Sequence, residues 1–180
     1  MLRLVFFLLA ITSLSANAQV KKNHLTEVTI KEMEKVYEEM KTPFKYGIVL
    51  SAPDSTKMAD SPTIFRFNEK WYMTYIIFDG TGYETWLAES DDLLHWTTKG
   101  KTMSFTDGTW DANQKAGYVS LVNIKWGGNY KPMKFDNKYW ISYLGGSAAG
   151  YEAGQLGIGM AHTNVLDNAH EYTRIPSPVL

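Results

Sequence analysis

The sequence contains no cysteine, and this absence excludes two kinds of stabilisation. Neither disulfides nor thiolate metal sites are available, so an apolar core must hold the domain together alone. The aromatic residues can supply that core, with 6 Trp, 11 Tyr and 8 Phe. The histidines His24, His95, His162 and His170 show no ligand spacing, so neither a metal site nor a cofactor is predicted.

An excess of one charge is also lacking. The 18 Lys and Arg residues nearly balance the 19 Asp and Glu residues, giving a formal net charge of -1. No basic nucleic-acid footprint is therefore expected. Apolar segments after the N terminus are short and interrupted by charged residues or glycine, so no membrane span is predicted in the mature chain.

The longest apolar run lies at the N terminus. Residues 1–18 contain Arg3, an apolar stretch over 4–14 and a small-x-small site at 16–18, in that order. This order is typical of a cleavable secretory signal peptide. The run is also about half the ~20 residues that a permanent membrane helix needs. We therefore predict a secreted or periplasmic protein whose mature chain begins at or near Gln19.

Residues 19–45 are predicted to form a short helix and its lead-in. Thr29 and Glu32 have the spacing of a capping box, and apolar residues recur after them at helical spacing. From residue 46 to 180 the periodicity is that of strands, which predicts an all-β domain.

Between residues 60 and 100, four strand-like segments alternate with turns. Aromatic and β-branched residues fill the segments, whereas Gly, Asp and Asn fill the turns. The segments are TIFRF, WYMTYIIF, YETWLAES and LHWTTKG, in chain order. This pattern predicts a four-stranded antiparallel meander.

The strand pattern recurs 68 residues later. The motif WYxxY at Trp71 and the GYE that follows it match YWxxY at Tyr139 and its own GYE. Repeated four-stranded meanders are typical of β-propeller blades. We predict blade one at about 60–100 and blade two at about 130–175. Two blades cannot close a ring, so we expect either missing C-terminal blades or self-association.

Function in propellers gathers at the mouth of the central channel. Asp60 precedes the first strand of blade one, which places its carboxylate at that mouth, although Asp before Ser-Pro is also a common turn opener. Glu84 and Glu152 end the two GYE motifs. Their recurrence favours a structural role or a general substrate contact.

Two further positions could contact a ligand. Asp111 lies beside Trp110, an aromatic residue that could stack on a sugar face. Lys131 is predicted at the start of blade two, where it could bind a carboxylate or phosphate or remain a solvated turn lysine.

Three motifs in blade one match a known pattern. They are Asp60-Ser61-Pro62, then KWYMTY from Lys70, then LAESDDLLHW from Leu87. The chain over about 60–175 thereby resembles five-bladed β-propeller glycoside hydrolases of the family 43, 130 and 117 type. Their pattern is Asp-Pro, a strand, Gly-Lys-Tyr-Tyr and later Ala-x-Ser-x-Asp-Leu-x-x-Trp.

The resemblance implies hydrolysis of an oligo- or polysaccharide by carboxylates acting as general base and general acid, with a third carboxylate orienting them. By position, Asp60 resembles the general base. The substrate-binding candidates are then Glu84, Trp110, Asp111, Lys131 and Glu152.

The chain departs from the family pattern at two places. Ser61 separates Asp60 from Pro62, and Lys131-Pro132 stands where many relatives carry an acidic residue. Because the general acid of this family usually comes from a later blade, we expect the chain alone to be catalytically incomplete. A glycoside phosphorylase of the same fold and a non-catalytic carbohydrate-binding propeller remain alternatives.

Overall fold

The computed structural model describes residues 28–41 and 46–180, which contain one helix and eight strands. The chain divides into two compact units, Met1–Lys45 and Tyr46–Leu180. The predicted signal peptide, residues 1–18, lies outside the described residues. Within the described ranges, no helix has the length and apolar character needed to cross a membrane.

The helix α1 spans Ile30–Met40, and its predicted capping box is confirmed. The Thr29 hydroxyl accepts the Glu32 backbone N–H at 3.2 Å, and the Glu32 carboxylate accepts the Thr29 N–H at 2.8 Å. Two of the free donors at the helix start are thereby satisfied within one turn.

Four strands form the first meander: β1 (Met58–Phe67), β2 (Lys70–Phe78), β3 (Tyr83–Ser90) and β4 (Thr97–Met103). Each strand pairs antiparallel with the next one along the chain. In β2, alternate side chains face opposite sides of the sheet, and both sides are packed. A strand buried on both faces explains the nearly continuous apolar run WYMTYIIF.

Four more strands form the second meander: β5 (Gln114–Val119), β6 (Tyr139–Gly146), β7 (Leu156–Thr163) and β8 (Thr173–Arg174). These pairs are also antiparallel. The meander begins at Gln114, well before the expected start near residue 130. Sequence reasoning missed β5 because Gly117 weakens its strand signal. A Cβ at Gly117 would lie 2.3 Å from the Met103 side chain, so close packing requires that glycine.

Two apolar clusters lie between the meanders. One joins side chains of the first meander to Val119 and Leu166, and consists of Phe65, Tyr72, Leu87, Val119 and Leu166. The other joins Met103 to the second meander, and consists of Met103, Ile141, Tyr143, Ala161 and Tyr172. Their burial fixes one meander against the other.

Candidate active site

A cavity of about 200 Å³ opens where β1 and β5 begin. Both meanders contribute to its wall, which is lined by Asp60, Ser61, Ile76, Tyr83, Ala116, Gly117, Tyr118, Leu144, Tyr151 and Glu152. Two of the residues predicted from sequence, Asp60 and Glu152, therefore share one cavity. Glu84, Trp110, Asp111 and Lys131 do not line it.

Asp60 lies at a β-bulge in β1. The register with β2 shifts between Asp60 and Thr63, and Ser61 has a left-handed φ of 47°. The Ser61 backbone N–H donates to the Asp60 carboxylate at 2.5 Å, which fixes the orientation of this exposed side chain. A left-handed non-glycine residue costs roughly 1–2 kcal/mol, and such strain concentrates at functional sites.

The second meander has no counterpart of this bulge or of its carboxylate. Asp60 pairs with Ile76, and the equivalent pair 68 residues later is Ala116 with Leu144. Gly117 alone then stands where the first meander has Ser61 and Pro62. The extra residue that departs from the family pattern is therefore the residue that makes the bulge.

Glu152 belongs to the loop that connects β6 to β7, residues 147–155. Its side chain is exposed and its backbone is left-handed, with φ of 47°. Glu84, by contrast, lies within β3 opposite Ile77, and the equivalent of that pair is Gly157 with Gly145. The two GYE motifs are thus not structurally equivalent, so their recurrence carries no information about the role of Glu152.

Tyr83 connects the two carboxylates electrostatically. Its ring is buried and lies 5.5 Å from the Phe78 ring and 5.7 Å from the Tyr151 ring, between centroids. Burial, the Tyr151 hydroxyl and the negative charges of Glu152 and Asp60 raise the pKa of the Tyr83 phenol well above its usual range. The phenol therefore stays protonated and is available as a hydrogen-bond donor in the cavity.

Glu84 is buried within the first meander, where its carboxylate is 2.8 Å from the Lys101 ammonium. The Ser104 hydroxyl donates to the same carboxylate oxygen. A buried carboxylate held by a cation and a hydroxyl is a structural tie between β3 and the end of β4.

Asp111 is also fully buried and lies away from the cavity. Its carboxylate accepts hydrogen bonds from Arg174 at 2.6 Å, Thr109 at 2.6 Å and Tyr143 at 2.7 Å. Burial raises the pKa of Asp111, but these hydrogen bonds outweigh burial and hold the pKa below its usual value. Trp110 stacks on Tyr143 with 5.9 Å between ring centroids. Both residues therefore anchor the second meander.

Lys131 lies at the opposite end of β1 from Asp60. It belongs to the connection between β5 and β6, and its ammonium is 3.6 Å from the carboxylate of Glu69 in the turn after β1. At about 3.3 Å per residue, β1 separates that turn from Asp60 by roughly 20 Å. The expected place of Lys131, at the channel mouth beside Asp60, is thus not the place that it occupies.

Tyr83 and Tyr151 are the cavity residues whose importance sequence reasoning underestimated. Both stand in the GYE motifs, so the signal was present, but the motifs were compared with each other and not tested for contact. For metal binding, the structure of the described residues shows no group of three or more His, Cys, Asp or Glu side chains suitably arranged.

The fold and the carboxylate-lined cavity are those of a carbohydrate-active class, and solved structures similar to the chain are glycoside hydrolases. Two of them, one named simply as a glycoside hydrolase and one named as a complex of BT0996 with RGII, are each 43% identical to the chain with a TM-score of 0.75. Each match covers 86% of this chain and 46% of the matched chain, so the chain spans about half their length. The resemblance predicted from the blade-one motifs is confirmed.

A more distant similarity concerns the fold alone. A β-1,2-mannobiose phosphorylase from Listeria innocua is 20% identical, with a TM-score of 0.53 over 75% of this chain and 34% of that one. No protein-family model matches the chain, and no curated protein matches it.

Proposed function

We propose that the protein is a glycoside hydrolase, or the N-terminal part of one, whose Asp60 and Glu152 act on a glycosidic bond at the cavity between the meanders. The observation that carries this proposal is the presence of both carboxylates in one cavity wall. Their shared effect on the Tyr83 phenol supports their proximity. The 43% identity to glycoside hydrolases supports the reaction class.

Glycoside hydrolysis needs two carboxyl groups that flank the scissile bond. Asp60 is the proposed base, because the Ser61 N–H orients its carboxylate as an acceptor. It takes a proton from the attacking water while the resulting hydroxyl bonds to the anomeric carbon. Glu152 is the proposed acid, which gives its proton to the leaving oxygen as the carbon–oxygen bond breaks.

The aromatic residues of the cavity suit a sugar ring. Tyr118 and Tyr151 are 48% and 61% exposed, so both rings are accessible to a ligand. Sugar rings have apolar faces that pack on aromatic side chains, while phenol hydroxyls serve the ring substituents. The Tyr83 phenol supplies such a donor beside the carboxylates.

Hydrolysis is favoured over phosphorolysis by the charge of the cavity. A phosphorylase binds phosphate through cationic side chains. Among the described residues, none of those lining this cavity is Lys, Arg or His. Lys131, the cation predicted at the channel mouth, is paired with Glu69 at the other end of β1.

The first ligand to test is RGII, because one of the 43% identical structures is a complex named for it. We refer to an oligosaccharide prepared from RGII as the glycan probe. A broader panel of aryl glycosides would extend the test to other sugars and linkages.

The experiment compares sugar release and probe affinity in full-length protein carrying Asp60→Asn or Glu152→Gln. We expect each substitution to lower kcat by about 10²–10⁴-fold with little change in affinity. Asp107→Asn, in an exposed turn, is the matched control and should leave both unchanged. Full activity in Asp60→Asn would overturn the site. Sugar release that depends on inorganic phosphate would identify a phosphorylase, and binding without turnover would identify a carbohydrate-binding protein.

We further propose that the protein is exported, on the basis of the signal-peptide pattern in residues 1–18. N-terminal sequencing of the protein from the periplasm and medium should give a chain beginning at or near Gln19. An intact N terminus in the cytoplasm would contradict export.

A further inference from the structure

We infer that Gln114 is a positioning residue that holds Glu152 at the cavity by fixing the loop 147–155. The inference rests on the proposed function for the role of Glu152. Gln114 itself does not line the cavity, so its effect is transmitted through the loop backbone.

The side chain of Gln114 is fully buried, and it binds the loop through its amide nitrogen. This nitrogen donates to the Ala148 carbonyl at 2.9 Å and to the Gly150 carbonyl at 2.6 Å. An amide NH₂ has two hydrogens, so both are used on the loop. The second of these carbonyls lies two residues before Glu152.

The loop needs such partners because its backbone is irregular. Gly150, Glu152 and Gly154 all have left-handed φ values, of 117°, 47° and 72°. An irregular loop cannot satisfy its carbonyls internally in the way a helix or strand does. For Glu152, which is not glycine, the left-handed conformation is unfavourable unless the surroundings impose it.

Gln114 also lies where the two meanders meet. Its backbone forms a parallel bridge with Tyr83, and the Tyr83 N–H donates to the Asn113 carbonyl at 3.0 Å. A Cβ on Gly82 would lie 1.7 Å from that carbonyl oxygen, so this approach requires glycine. The same dipeptide therefore contacts the Tyr83 side of the cavity and the Glu152 side.

Two further hydrogen bonds reinforce the junction. The Asn113 side-chain amide donates to the Ser147 carbonyl at 2.8 Å, and the Gly150 N–H donates to the Thr81 carbonyl at 2.7 Å. The loop of the second meander is thereby tied to the β2–β3 turn of the first. Since Asp60 comes from the first meander, these contacts set the relative position of the two carboxylates.

The test compares Gln114→Met and Gln114→Glu with the control Gln155→Glu in full-length protein. Methionine keeps the length of the side chain but donates no hydrogen bond. Ionised glutamate presents only acceptors to the two carbonyls, whereas protonated glutamate regains one donor. Gln155 is exposed in the same loop, so its substitution reports any general effect of the added charge.

We expect Gln114→Met to lower kcat on the glycan probe by about 10²-fold at every pH, with a smaller change in KM. Gln114→Glu should recover activity as the pH falls and its carboxyl group is protonated, relative to wild type at the same pH. Gln155→Glu should match wild type. Hydrogen exchange of the Gly150 amide should be faster in Gln114→Met, while the amides of β2 keep their protection.

Wild-type exchange of the loop in Gln114→Met would overturn the inference, as would equal loss of protection in both meanders, which signals general destabilisation. Failure of the proposed function is a separate outcome. In that case Asp60→Asn leaves turnover unchanged or no turnover occurs, and the exchange of the Gly150 amide alone decides whether Gln114 positions the loop.

Discussion

The two meanders share a framework but differ where chemistry is possible. The same cross-strand pairs recur 68 residues apart along β2 and β6, and both strands bury residues between the meanders. At the cavity the meanders diverge, because Asp60 and its bulge correspond to Ala116 and Gly117. Packing therefore explains what recurs, and the candidate site consists of what does not recur.

The outer faces of the meanders differ as well. A buried cluster covers the first meander, and it consists of Ala52, Met73, Tyr75, Ile77 and Ala88. The second meander instead presents an apolar groove of about 280 Å³ that includes Trp140 and Phe135, the latter 66% exposed.

Converting the first meander into the pattern of the second is expected to have the largest effect. Asp60→Ala should reduce turnover by about 10²–10⁴-fold, because the proposed base is lost. The protein should stay folded, since Ala116 occupies the equivalent position. The reciprocal change, Ala116→Asp, should restore nothing when combined with Asp60→Ala. Kinetics on the glycan probe, with thermal unfolding as a folding check, measures both.

Removing the buried tie of the second meander should have the next largest effect. Asp111→Asn leaves Arg174, which is 16% exposed, without its counter-charge, and should lower the free energy of unfolding by about 3–5 kcal/mol. The exposed Asp107→Asn serves as its control. Denaturant unfolding measures both, and equal stability of the two variants would contradict a structural role for Asp111.

The same tie predicts how stability depends on pH. The folded-state pKa of Asp111 is depressed, so its contribution is present above the unfolded pKa of about 3.9 and is lost as pH falls through the folded pKa. Asp111→Asn should flatten this part of the acid-unfolding curve. A curve as steep as that of the wild type would count against the assignment.

Lys115 offers a smaller test of the comparison, because the first meander has Ala59 at the equivalent position. Lys115 is fully buried, and burial lowers its pKa to about 8. The folded state therefore releases this proton before the unfolded state does, so stability should rise as pH increases from about 8 towards 10. Lys115→Met should remove this rise and add about 1–2 kcal/mol of stability at pH 7. An unchanged pH dependence would contradict the assignment.

Ser61→Gly should have the smallest effect. Glycine accepts the left-handed backbone of the bulge without steric cost but loses more chain entropy on folding, so a net gain of about 0.5 kcal/mol is expected. Ser61→Ala is the matched comparison, since alanine keeps the strain. Equal stabilities of the two variants would show that the bulge stores no strain.

Much of the first meander could be predicted from sequence because its strands follow one another through short turns. The motif at Trp71 and the turn before Tyr83 give local signals that the structure bears out. The second meander was harder, because β5 is short, contains Gly117 and is followed by a long connection. Its start is fixed by contacts with Met103 and Ile141, which no local pattern reveals.

The candidate site shows the same limit. Asp60 could be singled out from its place before the first strand, together with the family pattern. The equal spacing of Glu84 and Glu152 was misleading, because the loop 147–155 is longer than the turn before Tyr83. Lys131 aligned with the start of a strand but lies in a connection. Only tertiary contacts separate a coincidence of spacing from structural equivalence.

A crystal structure of the full-length Asp60→Asn protein with the glycan probe bound would test the proposed site without relying on kinetics. We predict a sugar ring in the cavity, with its glycosidic oxygen near Glu152 and its anomeric carbon facing residue 60. The separation of the two carboxyl groups in the wild-type protein would then indicate the stereochemistry, with roughly 6.5–9.5 Å expected for inversion. A sugar bound elsewhere, such as in the apolar groove at Trp140, would contradict the assignment of Asp60 and Glu152.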